Sequence, residues 1–273
     1  MTFRPFLSVL RRALVLVAAG VLAMDAAAAG PRGQGMPVSV VFELFTSQGC
    51  SSCPPADALF HAMRKEPGIL TLSLPVTIWD HLGWKDTLAK TTFSGRQKGY
   101  AYARGDRQIY TPQAVVNGVI HAVGSDRKAL DDARQRSVMQ TGVLAIAPVL
   151  KRKGELWSVH LPDSPLGRPA PPEAPQAGAS ERRHVHAGAV FVMIFEREQA
   201  VEIGRGENTG RTIRYGNIVR SIDKIGEYTG AAASFDLPAA ARSDAAQGFA
   251  VIIQAGTDKH PGAIVGAVES PRD

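Results

Sequence analysis

The sequence predicts an α/β domain over residues 36–142, followed by a mostly antiparallel, β-sandwich-like domain over residues 143–273. Three observations predict it. Between residues 38 and 140, apolar β-branched runs alternate with stretches of helical spacing, the pattern of a sheet with crossover helices. Beyond residue 142, short apolar runs follow one another with Gly and Pro between them, and no convincing helical stretch crosses that span. Third, the chain is long enough for two modest domains, each with its own core.

The elements follow in order. "VSVVFELFT" (38–46) is a strand of the fully buried type, and "PPADALFHAMRK" (54–65) carries Ala58, Leu59, Ala62 and Met63 at helical spacing. Pro54 is tolerable there because a first-turn N–H has no intrahelical partner. "ILTLSLPVTI" (69–78) is a second strand, and residues 84–104 are polar and irregular, predicting a helix in pieces. Asn117-Gly118 between two short apolar runs predicts a hairpin. Residues 126–140 form a charged amphipathic helix, completing the order β-α-β-α-β-β-α. In the second half, "VLAIAPVL", "LWSVHL", "AVFVMIFE", "TIRYGNIVR", "FAVIIQ" and "AIVGAV" are strand candidates. A Pro-rich stretch, 162–183, falls among them as an extended insertion between strands.

Residues 1–29 read as a signal peptide. Arg4, Arg11 and Arg12 form a basic start, residues 13–24 an apolar core, and Ala27 and Ala29 the small positions of a cleavage site. The apolar core is shorter than the ~20 residues a membrane span requires. The protein is therefore expected to be exported, periplasmic or secreted, with no membrane association after cleavage. Cleavage removes three arginines and Asp25 from a formal net charge of +6, leaving a mildly basic protein. No Lys/Arg run with interleaved aromatics is present, which argues against nucleic acid as a partner.

The chain has 2 cysteines, Cys50 and Cys53, in "FTSQGCSSCPPAD". As a staple the pair is weak: closing so short a loop is worth ~1.9 kcal/mol, against ~4.7 kcal/mol for a hundred-residue loop. Cys50 lies between a strand and a helix, where unpaired N–H groups and the helix dipole favour a thiolate. Cys50 is then the nucleophile and Cys53, one turn inside, the resolving thiol. Glu43 lies on the preceding strand, where a buried carboxylate would relay protons to the pair. Trp79, Asp80 and Trp84 in "WDHLGWKD" follow the C-terminal end of a strand, where α/β folds carry their working loops, and are candidates to line the substrate.

Two other uses of the cysteines stay open. One is a structural disulfide in a non-catalytic binding module, the β-rich half recognising an envelope protein or glycan. The other is Cu(I) held by two thiolates with His61 or His121. Zinc would need four ligands, and no second cysteine pair exists. His184 and His186 share a strand face and form a weaker metal candidate. Arg211, Arg214 and Arg220 surround a hairpin, where interface pairing or solvation is favoured over substrate binding.

The element order, the CxxC at a strand-to-helix junction and "YTPQAVVNG" resemble the thioredoxin-like superfamily over residues 38–140. More closely, "ELFTSQGCSSCPPAD", "WDHLGWKD", "YTPQAVVNG" and "GENTGRTIRYGNIVR" resemble the exported thioredoxin-like family designated domain of unknown function 1223 (DUF1223). The resemblance implies a cis-proline at Pro112 beside the disulfide, with Thr111 presenting its backbone as an edge for a partner peptide. Gly49 stands where ordinary thioredoxins carry an aromatic, and Pro54-Pro55 where a basic residue is common. The expected function is thiol-disulfide exchange with protein or small-molecule substrates and a separate redox partner. It needs no cofactor beyond the redox-active disulfide and no metal.

Overall fold

The computed structural model describes residues 35–164 and 187–272, all within one compact unit that spans residues 33–273. Residues 1–29, most of the Pro-rich stretch, and His184 and His186 lie outside the described residues. The fold is mixed α/β, with a large, curled, mostly antiparallel sheet and few helices. In chain order its elements are β1 (Met36–Pro37), β2 (Val40–Thr46), α1 (Pro54–Met63), β3 (Ile69–Pro75), α2 (Thr91–Arg104), β4 (Gln113–Val116), β5 (Ile120–Val123) and α3 (Arg127–Val138). Then follow β6 (Val149–Lys153), β7 (Leu156–Leu161), β8 (Gly188–Glu202), β9 (Thr212–Tyr228), β10 (Ala233–Asp236), β11 (Gln247–Gly256) and β12 (Pro261–Glu269).

Nine strands form one sheet in the order β1-β12-β11-β8-β9-β3-β2-β4-β5. Only the β9/β3 and β3/β2 pairs are parallel. The two halves of the chain meet at β3 and β9, where Ser73 pairs with Ile218 and donates its hydroxyl to the Gly216 carbonyl at 2.9 Å. Strands from both halves thus share one hydrogen-bonded sheet.

Alternation along each strand sorts the cores. On β2, Val40, Phe42 and Leu44 pack under α1 and α3 with Ala56, Phe60, Met63 and Leu130. Val41 and Phe45 point the other way, into a core shared with Phe93 and Tyr100 of α2 and with Met193, Phe195 and Ile252. The odd and even residues of β8 divide likewise. Val190, Val192 and Ile194 meet Leu150, Trp157 and Val159 of a small sheet, β10-β7-β6, packed as a second layer.

Helix α2 is one continuous helix of 14 residues, where pieces were expected. Its buried face includes Ser94 and Gln97 beside Phe93 and Tyr100, so the apolar period was masked by polar residues that pair internally. Helix α3 begins where Asp126 accepts a hydrogen bond from Ala129 N–H at 2.9 Å, a side-chain cap. The hairpin expected at Asn117-Gly118 forms, with φ of 49° and 75° at these residues. Among the described residues, no helix is long and apolar enough to cross a membrane.

Candidate functional site

Strand β2 ends at Thr46 and α1 starts at Pro54, and the seven residues between them carry the cysteines. Cys50 and Cys53 are joined in a disulfide. Cys53 is fully buried and Cys50 is 5 % exposed, while Ser51 and Ser52 between them face solvent. The Ser52 hydroxyl lies 3.4 Å from the Cys50 sulfur. Because Pro54 and Pro55 fill the first two helical positions, two of the N–H groups that a helix start normally offers are missing. The dipole remains, but a Cys50 thiolate has fewer direct donors than the generic argument supplies.

Two distant segments hold this loop. Asn208 is fully buried and donates through Nδ2 to the carbonyls of Gln48 (2.9 Å) and Cys50 (2.8 Å). Its neighbour Glu207 accepts from Ser51 N–H at 3.2 Å. From the other side, Asp86 accepts from Gln48 N–H at 2.8 Å and from Leu88 N–H at 2.8 Å. The Gln48 side-chain oxygen accepts from the Trp84 indole at 2.8 Å. The backbone of the loop is therefore fixed by hydrogen bonds independently of the disulfide.

The predicted site residues fall into two groups. Trp79 lies against the cysteine loop: a β-carbon added to Gly49 would sit 3.1 Å from that of Trp79. Its indole donates to the Thr111 hydroxyl at 2.7 Å, so Thr111 is tied to the same surface. The Thr111–Pro112 peptide is cis. The Pro112 ring and Ala56, in the first turn of α1, both border Gly124. Trp84 supports the loop through Gln48, while Asp80 accepts from Asp86 N–H at 3.1 Å and shapes its own turn.

Glu43 is not brought to the cysteines. Its parity on β2 sends it to the α2 side, away from α1. There it forms an ion pair with Arg96 at 2.7 Å and accepts a hydrogen bond from Tyr100. His61 pairs with Glu198 at 3.2 Å, and His121 meets Tyr110 at 2.9 Å and Asp106 at 3.2 Å. Among the described residues, no group of three His, Cys, Asp or Glu side chains could hold a metal.

Sequence reasoning passed over a buried carboxyl in the first turn of α1, Asp57. Asp57 is four residues beyond Cys53, so the two share one face of α1, and its N–H bonds the Cys53 carbonyl at 3.1 Å. Burial pushes its pKa up to about 8, against the pull of the Thr46 hydroxyl, which donates to Oδ1 at 2.7 Å. Its Oδ2 is buried without a hydrogen-bond partner, and so is the Tyr215 hydroxyl of β9. Burial, then the Asp57 and Asp86 carboxylates, push the Tyr215 phenol upward. Burial likewise raises Asp86. The available signal was a carboxylate in the first turn of a mostly apolar helix, which ordinarily reads as a partner of the helix dipole.

A family profile described as "Protein of unknown function (DUF1223)" matches residues 41–165 and 168–254. The chain is similar to the crystal structure of protein AGR_C_4864 from Agrobacterium tumefaciens, at 30% identity and a TM-score of 0.69, covering 87% of this chain and 96% of that one. HBP35 of Porphyromonas gingivalis aligns at 9% identity and a TM-score of 0.49, over 87% of this chain and 76% of that one. A search of curated proteins finds no match.

Proposed function

The chain belongs to the DUF1223 family, and from its site we propose that it is an exported, thioredoxin-like thiol-disulfide oxidoreductase. One observation carries the proposal: a disulfide at the start of α1 has, one helical turn beyond its buried cysteine, a buried carboxyl with an oxygen that has no hydrogen-bond partner, and burial raises its pKa. A second supports it, since the loop is already held by Asn208 and Asp86 and has little need of a covalent staple.

The chemistry balances as follows. A substrate thiolate attacks Cys50, forming a mixed disulfide and breaking the Cys50–Cys53 bond. Cys53 leaves as a thiolate and takes a proton from the Asp57 carboxyl, which becomes a carboxylate. A second substrate thiolate attacks the substrate sulfur of the mixed disulfide, releasing an oxidised substrate and the Cys50 thiolate. Two thiolates are oxidised to one disulfide and the cysteine pair accepts two electrons. Run in reverse, the Asp57 carboxylate accepts the Cys53 proton as Cys53 resolves the mixed disulfide. Trp79, Thr111 and Pro112 form the flank on which the substrate chain docks.

Treating the reduced Cys53→Ser protein with a peptide disulfide tests the reading. The expected product is a stable mixed disulfide on Cys50, seen as a mass increase of one peptide. A wild-type disulfide that resists excess dithiol in the folded protein would assign it a structural role instead.

A further inference from the structure

Beside the cysteine pair, an open cavity of about 690 Å3 lies between α1 and the start of β9. Pro54, Ala58 and His61 line its helix side, while Arg211 and Arg214 bring its charge. Its volume falls in the range of small-molecule sites, roughly 300–1,000 Å3. It begins at the residue following Cys53, and it reaches the cysteine loop by a second route. Arg211 donates to Asn208 Oδ1 at 3.2 Å, and Asn208 holds the Cys50 carbonyl.

The charges around this cavity do not balance. Glu198 is the carboxylate on its wall side, and two guanidinium groups share it, Arg64 at 2.9 Å and Arg214 at 3.5 Å, with the His61 ring at 3.2 Å. Arg214 remains 66% exposed, the most open and most distant of the three. Among the described residues, Arg211 has no carboxylate within ion-pair distance; its contact is a neutral amide. Two forked cations thus line the cavity with unused donors, next to the first residue of α1 after Cys53. Guanidinium groups recognise carboxylates through paired N–H donors.

We infer that the cavity lined by Arg211 and Arg214 is the substrate subsite, and that it takes a small thiol or disulfide bearing carboxylates. The inference rests on the oxidoreductase reading and names the chemical class of its substrate. An arginine pair beside a redox disulfide would raise the local concentration of acidic thiols and repel cationic ones.

Rates of reduction of the purified protein by glutathione and by cysteamine test this, followed through Trp79 and Trp84 fluorescence and corrected for each thiol's ionised fraction. Glutathione is expected to react about tenfold faster at low salt, with the ratio shrinking as salt rises. In Arg211→Glu/Arg214→Glu the ratio inverts; in the double Arg→Gln variant, checked for native circular dichroism, it falls to near unity. Equal corrected rates in the wild type, or a ratio untouched by the variants, would overturn the assignment. Binding of S-methylglutathione, which cannot exchange, separates the two proposals. If it binds the wild type and not the Glu variant, the subsite stands. If it does not bind, the subsite falls. Failure of every thiol to reduce the pair counts against the oxidoreductase reading and leaves this binding result to decide the cavity.

Discussion

Glu43 and Asp57 are both buried carboxyl groups at the two sides of strand β2, and they are treated in opposite ways. Glu43, on the α2 side, is enclosed by Arg96, which itself bonds Tyr100 and Gln254, each at 2.8 Å. Every charge there has a partner. Asp57, on the α1 side, has one hydroxyl donor and a second oxygen with none. The first environment gives its carboxyl a guanidinium and a phenol as partners; the second, by burial, favours the protonated form. A satisfied carboxylate serves the fold, and an unsatisfied one is available for chemistry.

The largest expected effect comes from breaking the satisfied side. Arg96→Met leaves the Glu43 carboxyl in the core without its guanidinium partner, and urea unfolding is expected to show a loss of ~3–5 kcal/mol. The thiol exchange rate of the folded variant stays within twofold of wild type, because Arg96 lies across the sheet from the cysteines.

Asp57→Asn sharpens the contrast with the opposite sign. Folded Asp57 keeps its proton up to about pH 8, whereas an unfolded aspartate releases it near pH 4. Between these values the unfolded state binds fewer protons, so the wild type's stability is fullest below about pH 4 and falls as pH rises toward about 8. The Asn variant is expected to be more stable at pH 7 by ~2 kcal/mol and to flatten that window in a denaturant series at several pH values. If Asp57 is the proton donor proposed for Cys53, thiol exchange slows by roughly tenfold or more. A variant that is both less stable and unchanged in rate would contradict the comparison.

Asn208→Ala removes donors to two buried carbonyls of the cysteine loop and should cost ~1–2 kcal/mol in thermal unfolding. The smallest effect is expected for Thr46→Val. It deletes the one donor that favours ionised Asp57, so the midpoint of the pH-dependent exchange rate moves upward by a fraction of a unit.

Much of this was written in local sequence. The strand of residues 38–46, the helix beginning at Pro54, the Asn117-Gly118 hairpin and most second-half strands stood out by period and punctuation. The role of Glu43 did not. Strand β2 is buried along its whole length, so no polar alternation marked which residues face α1. Asp57 was illegible for a different reason: its burial depends on Tyr215, 158 positions away, brought beside it because β9 pairs with β3. Asn208 lies in a Gly-bounded loop whose only local reading is a turn. Motif positions place Trp79 and Thr111 near the cysteines, and the contacts that tie Trp79 to Gly49 and to Thr111 come from loops meeting in space.

The most direct measurement is the reduction potential of Cys50–Cys53, equilibrated against glutathione or dithiol buffers in the purified protein. A pair built for exchange should lie between about −120 and −270 mV, the range of thiol-disulfide oxidoreductases. A potential below about −300 mV, unchanged by Asp57→Asn, would mark a closed structural disulfide and contradict the account.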